Sequence, residues 1–458
     1  MTSAMKSNAK QERPVSVAII GAGPSGFYCA ESLIKIGLDC RIDIIEGLPT
    51  PFGLIRAGVA PDHQSTKRVT RAYERTALDK HVGYYGNVRI GRDITLDELR
   101  QAYDAVVVAI GAPLDRDLDI PGGRKPGVYG SAAFVGWYNG HPDHQDLAPR
   151  LDTAAVAIIG HGNVALDIAR VLVKTPREMA GTDLPDYAAR TIHGSPIRDV
   201  YLFGRRGPLD AKFTNVELRE LTALEDCVPV VDPAQLPAKV EGDTTDRALR
   251  LKKKNLATLR DFLSLEPAGK KKRLHLAFFS QPVAVLGEER VEGLRLERTR
   301  VEAGRPVGTG AFFEVPCGAV ISAIGTRSQP LEGLAFDKRR GSVINRQGRV
   351  ADGLYVVGWA KRGPSGVIGS NKPDGDLIAQ HIQDDLPKGS KPGRVALEFW
   401  LEERRIEWVS FADWKAIETA EIDAAGPNAP RKKLIRIEDM LAVLREKRSD
   451  RSRVSAGE

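Results

Sequence analysis

A glycine loop set between a strand and a helix occurs twice in this chain, and this repetition constrains the fold more than any other feature. Val15-Ser-Val-Ala-Ile-Ile20 is an apolar run with strand character. It leads directly into Gly21-Ala-Gly23-Pro-Ser-Gly26, after which Tyr28 to Ile36 reads as a helix. In the pattern G-x-G-x-x-G, Gly21 serves the tight turn, Gly23 lets backbone approach a pyrophosphate, and Gly26 allows close helix–strand packing. The helix start then offers free N–H groups and partial positive charge to the phosphates. A second strand, Cys40 to Ile45, ends in Glu46, 20 residues beyond Gly26, where an acid accepts hydrogen bonds from a ribose hydroxyl. Glu46 would repel a 2′-phosphate, so this half suits an unphosphorylated adenosine, that of FAD or of NAD.

The second loop follows the strand-like run Ala154 to Ile159. It reads Gly160-His-Gly162-Asn163-Val164-Ala165 and opens a helix over Leu166 to Val173. The next strand, Asp199 to Phe203, ends in Gly204-Arg205-Arg206. Two arginines stand where the first half carries an acid. A guanidinium pair at this place suits a 2′-phosphate through charge-assisted, bidentate bonds, so the second nucleotide is expected to be NADP. The 25 residues Lys174 to Arg198 that intervene make this pairing less local than the first.

Three more apolar runs close on small residues: Asp104 to Ala112, Ala319 to Thr326, and Leu354 to Trp359 with Gly358 at its turn. Small residues at the carboxyl ends of parallel strands let backbone approach a cofactor. The last run is followed by the glycine-rich turn Gly363 to Gly369. The expected fold is α/β, with two Rossmann-like dinucleotide-binding domains, the NADP domain inserted into the FAD domain. Residues 15–112 and 328–458 would form the FAD domain, residues 113–327 the NADP domain, and residues 1–14 a flexible leader. Chemistry is expected in the crevice between them.

Other classes are disfavoured by what the chain lacks. No run approaches the roughly 18 to 20 apolar residues that span a bilayer. The polar Met1 to Pro14 has no apolar signal region, which points to a cytoplasmic protein. Cys29, Cys40, Cys227 and Cys317 form no C-x-x-C pair and no metal-ligand spacing, so neither a redox dithiol nor a metal or iron–sulfur centre is expected in this chain. The net charge of +7 includes basic runs at Lys252 to Lys254, Lys270 to Arg273, Lys338 to Arg340 and Arg431 to Lys433. These favour an acidic partner. They lack interleaved aromatics, and a nucleic-acid role is not expected.

The segments Ile19 to Gly26, Leu48-Pro-Thr-Pro-Phe-Gly-Leu-Ile-Arg56, Gly58-Val-Ala-Pro-Asp-His63, Gly160 to Asp167, Gly204-Arg-Arg-Gly-Pro208 and Gly358-Trp-Ala-Lys-Arg-Gly-Pro-Ser-Gly-Val-Ile-Gly369 together resemble the adrenodoxin-reductase type of ferredoxin–NADP reductase, its bacterial members most closely. The resemblance covers about Val15 to Leu444 and departs from the family pattern at His161, where the family carries Asn. It implies an enzyme that accepts hydride from NADPH on FAD and passes electrons one at a time to a ferredoxin-type iron–sulfur protein. It further implies that Gly21, Gly23, Ser25 and Gly26 hold the FAD diphosphate, with Glu46 on the ribose and Leu54 near the flavin. Trp359, Gly366, Val367 and Ile368 would lie against the isoalloxazine. Gly160, Gly162, Asn163 and Val164 would meet the NADP diphosphate, Arg205 and Arg206 the 2′-phosphate, and Glu217 the other side of the nucleotide. His63 and Glu220 match a pair that acts near flavin and nicotinamide. Two other readings share the layout. A flavin-dependent monooxygenase would carry F-x-G-x-x-x-H, which Phe134 to His141 misses by one residue. An NADP-binding redox sensor would have both loops and no turnover.

Overall fold

The computed structural model of the chain describes residues 13–241, 246–267 and 269–456; most of the expected leader lies outside the described residues. The strand Val15–Ile20 is buried at every position, as a parallel strand covered on both faces must be. It pairs in parallel with Cys40–Ile45 on one side and Ala105–Val108 on the other. Beyond Ala105–Val108 comes Leu354–Val356, again parallel, with Leu354 opposite Val106. A C-terminal segment therefore completes the sheet that the N-terminal segment begins. Arg349–Ala351 and Val82–Tyr85 form its two edges. The helix Lys372–Asp385 packs on Pro24–Lys35 so closely that a Cβ at Gly375 would lie 2.9 Å from the Cys29 nitrogen.

A second six-stranded sheet is built from the middle of the chain, in the order Val128–Gly130, Ala319–Ser322, Ala155–Ile159, Asp199–Phe203, Lys272–Ala277, Cys227–Val231. Every neighbouring pair in it is parallel. Asp199–Phe203 lies directly beside Ala155–Ile159, with Phe203 opposite Ile159. The long interval between them holds the helices Pro176–Met179 and Asp186–His193, so sequence distance did not weaken the pairing. The chain crosses between the two sheets twice, and the crossings lie side by side: Leu114–Asp115 pairs antiparallel with Thr326–Arg327. A three-stranded antiparallel sheet, Ser280–Leu286, Gly293–Glu302 and Arg305–Pro316, was not anticipated from sequence.

Several helices are shorter than their apolar patterns suggest. The segment from Lys391 to Glu407 is helical only at Arg394–Glu403, because Gly393 (φ 60°) and Arg405 (φ 53°) turn the chain at either end. Thr214 to Leu224 splits into an α-helix, Asn215–Glu220, and a 3-10 turn, Leu221–Ala223. The near-match to a monooxygenase motif is a packed helix, Ser131–Asn139, ended by left-handed Gly140. Phe134 is fully buried in its core cluster, and this segment offers no exposed loop to a nucleotide.

Candidate functional site: two nucleotide cradles and a charged junction

Both glycine loops end at helix starts that no side chain caps. Gly23 is the N-cap of Pro24–Lys35 and Gly162 that of Asn163–Val173, each without a side-chain hydrogen bond to the first turn. Free N–H groups at a helix start require acceptors, and a Cβ at either glycine would meet nothing within 4 Å. Such open cradles fit two dinucleotide diphosphates. The adjoining glycines are tight instead. At Gly21 (φ 109°) a Cβ would lie 2.6 Å from the Ala109 carbonyl oxygen, and at Gly160 (φ 136°) 2.4 Å from that of Ala323. A Cβ at Gly26 would strike the Gly21 carbonyl oxygen at 2.1 Å.

Around the first cradle the expected residues converge. Ser25 Oγ donates to Asn371 Oδ1 at 3.1 Å, tying the loop to the turn at 363–371. Trp359 Nε1 donates to Ser365 O at 3.0 Å, and the Arg362 guanidinium donates to Ser365 O, Ser370 Oγ and Asn371 Oδ1. The turn that carries Gly366, Val367 and Ile368 thus hangs on an indole and an arginine. Leu54 (43% exposed) and Val367 (64% exposed) present apolar faces near the loop, which an aromatic ring system would cover. The backbone between loop and Leu54 is strained: Phe52 has φ 80°, and its N–H is held by Ala22 O. Glu46 makes contacts that the spacing did not reveal. Its carboxylate accepts from the N–H groups of Ala22 (2.8 Å) and Leu48 (3.2 Å), pinning the glycine loop. Burial pushes its pKa up, against the pull of these donors.

At the second cradle Asn163 uses its Oδ1 to accept from the Thr214 N–H at 2.8 Å. Val164 is 48% exposed. Arg205 is exposed and Arg206 half-buried, and neither forms an ion pair among the described residues. Arg206 Nε is buried with no partner. A pair of unpaired guanidinia beside an uncapped helix start fits a nucleotide that carries an additional phosphate.

His63 and Glu220 meet where the two sheets' loops come together. His63 Nε2 lies 2.9 Å from Glu220 Oε2 and 3.6 Å from Glu217 Oε2, and its Nδ1 is 3.9 Å from Asp167 Oδ1. At the centre is a residue the sequence reading did not single out. Arg170 is fully buried and holds Asp62 through Nε and Nη2 at 2.7 and 3.0 Å, Asp167 at 2.8 Å and Glu220 at 3.2 Å. Lys174 adds a second cation on Asp62 at 2.8 Å. Burial alone would depress the His63 pKa, but the hydrogen bond to Glu220 and the charge of Asp167 raise it above 6.5. Burial would raise Asp62 and Glu220, yet Arg170 for the first and His63 for the second hold them low. Burial raises Asp167 and Glu217. His63, Asp167 and Glu217 bring ligand-type atoms within 4.8 Å of one another. The guanidinium of Arg170 stands among the same oxygens, 2.8 Å from Asp167 and 3.6 Å from Glu217, and supplies the positive charge there.

All four cysteines are free and buried. Burial pushes the Cys29, Cys227 and Cys317 thiols up to about 12 and Cys40 to about 11, far from the thiolate a redox dithiol needs. The basic runs divide. Lys433 is buried against Asp183 at 3.0 Å, and Arg431 pairs with Glu418 at 2.9 Å. Lys270 and Lys272 donate to backbone carbonyls. Lys338 to Arg340 remain on the surface, as do Arg247, Arg250 and Lys254 of the helix Arg247–Asp261.

Two mainly parallel sheets, two uncapped helix starts and a charged junction define an oxidoreductase that brings two dinucleotides together. Residues 15–183 match the profile of the family described as Pyridine nucleotide-disulphide oxidoreductase. The chain is 40% identical over 457 residues to the mitochondrial NADPH:adrenodoxin oxidoreductase of Bos taurus, covering 95% of this chain and 93% of that one. It is 39% identical to the NADPH-ferredoxin reductase FprA of Mycobacterium tuberculosis, covering 94% and 99%. The solved structure of that FprA in complex with NADPH superposes with a TM-score of 0.90 at 38% identity, again over 94% and 99% of the two chains. The chain belongs to the family of NADPH-dependent adrenodoxin and ferredoxin reductases. Among the described residues no helix is long and apolar enough to cross a membrane.

Proposed function

We propose that this chain is a cytoplasmic ferredoxin–NADP reductase whose electron acceptor is an acidic iron–sulfur protein. When bound, FAD would supply the chemistry, two-electron acceptance of hydride and one-electron release. The observation that carries the reading is the contrast between the cradles. The first has an acid, Glu46, at its second strand, and the second has the unpaired Arg205 and Arg206. One cradle therefore favours the adenosine of FAD and the other that of NADPH.

In this reading residues 15–112 and 328–458 make the FAD domain and residues 113–327 the NADP domain, which accords with the paired crossings at Leu114–Asp115 and Thr326–Arg327. Gly21, Gly23, Ser25 and Gly26 hold the FAD diphosphate, and Leu54, Trp359 and residues 366–368 enclose the ring. Gly160, Gly162, Asn163 and Val164 hold the NADPH diphosphate. The protein's main task would be to hold the two bound nucleotides in a fixed mutual orientation. His63, raised in pKa and linked to Glu220 and Glu217, is placed to hold or move a proton at its imidazole Nε2.

The exposed Arg247, Arg250 and Lys254, and separately Lys338 to Arg340, offer basic surface to an acidic partner. Cytochrome c reduction from NADPH, with and without an acidic [2Fe–2S] ferredoxin, tests this reading. Ferredoxin should be required for rapid reduction, and the rate should fall as salt screens the attraction. A ferredoxin-independent rate, or one indifferent to ionic strength, would overturn the acidic-partner assignment.

A further inference from the structure

His161 occupies the second glycine loop between Gly160 and Gly162, with its ring turned inward. Its Nε2 lies 3.0 Å from the carbonyl oxygen of Leu202, which can only accept, so Nε2 carries the proton. Burial lowers its pKa to about 4, and the ring stays neutral. Phe278 packs edge-on at 4.7 Å between centroids, and Phe213 lies at 6.3 Å. The opposite nitrogen abuts the next strand end, where a Cβ on Gly204 would sit 2.2 Å from Nδ1. The His161 carbonyl oxygen accepts from the Lys212 N–H at 2.7 Å. One residue therefore joins the loop of the second cradle to both ends of the segment that bears Arg205 and Arg206.

The carbonyls of that segment are fixed from the other side. Gly204 O accepts from the Ser280 N–H, Arg205 O from Thr299 Oγ1 and Arg206 O from the Phe279 N–H, at 3.0, 2.9 and 3.1 Å. With the backbone gripped on both sides, the two guanidinia are aimed by the scaffold; among the described residues no acid pairs with them.

We propose that His161 is a specificity-positioning residue, whose imidazole bridges the second glycine loop to Leu202 and Gly204 and so keeps Arg205 and Arg206 in register for a 2′-phosphate. The ring does not touch the nucleotide. It acts through the two arginines, preorganising them as a rigid supporting contact does. This deepens, and rests on, the assignment of NADPH to the second cradle.

The test is calorimetric binding to the FAD-loaded protein of 2′,5′-ADP and 5′-AMP, which differ in the 2′-phosphate alone. Wild type should prefer 2′,5′-ADP; no preference would overturn the NADPH assignment itself. His161→Ala should weaken 2′,5′-ADP about tenfold, about 1.4 kcal/mol, and leave 5′-AMP unchanged. His161→Gln, with an amide N–H able to reach Leu202 O, should restore most of the loss. Parallel weakening of both ligands, or of neither, would overturn the inference. Should His161→Ala fail to fold, Gly204→Ala is the independent variant, because its Cβ displaces the ring. It should lower the 2′,5′-ADP to 5′-AMP preference, and an unchanged preference would count against the proposal.

Discussion

In the proposed reading Arg205 and Arg206 select the nucleotide, because neither forms an ion pair among the described residues. Charge-assisted hydrogen bonds to phosphate contribute about 1.5–3 kcal/mol each. Replacing both arginines by Ala should raise KM for NADPH by roughly 100-fold, about 3 kcal/mol, with FAD content unchanged; steady-state kinetics and the visible spectrum check both. His63 makes a pH-dependent prediction at the same scale. Its folded pKa lies above 6.5, so the stability from its charged form is fully present below 6.5 and is lost as pH rises through the raised value. Glu220 lies below 4.5, so its contribution is present above 4.5 and lost as pH falls through the lowered value. The pair thus persists across the interval between. The His63 imidazole, followed by NMR, should titrate above 6.5 in wild type and lower in Glu220→Gln; titration at or below 6.5 in wild type would contradict the ion pair.

At the scale of elements, close approach governs. The strand Leu354–Val356 runs out into Gly358, which has φ 68° and would place a Cβ 1.9 Å from Ser25 Oγ. Gly358→Ala therefore forces apart the first glycine loop and the 363–371 turn, and positive φ adds about 1–3 kcal/mol of strain. Lower FAD occupancy and a lower Tm are expected, read from the ratio of visible to ultraviolet absorbance and from thermal melting. The glycine loops and their strands were legible in sequence because their determinants are local: an apolar run, a fixed glycine spacing, a helix behind. Arg170 was not. It sits three residues after Asp167 on one helix, and its meaning comes from Asp62, Glu217 and Glu220, which the fold brings in from other segments. The hold of Glu46 on the Ala22 N–H escaped for the same reason, and so did the burial of Lys433 within a run that looked like surface charge.

For the whole molecule, the two sheets are held in one arrangement by buried ion pairs drawn from distant parts of the chain. Asp183 accepts from Lys67 at 2.7 Å and pairs with Lys433, which also donates to the carbonyls of Arg56 and Asn139. Arg170 and Asp62 form a second such tie. Breaking a buried pair of this kind typically costs about 3–5 kcal/mol, so the crevice between the cradles is defined by contacts, and not by the two crossing strands alone. In the proposed reading this arrangement brings the two nucleotides together. Its most direct measurement is anaerobic stopped-flow mixing of the yellow, FAD-loaded protein with NADPH or NADH, followed near 450 nm. Rapid bleaching by NADPH and far slower bleaching by NADH at equal concentration is the predicted result. No bleaching by NADPH, or equal rates with the two, would contradict a reductase whose second cradle selects the 2′-phosphate.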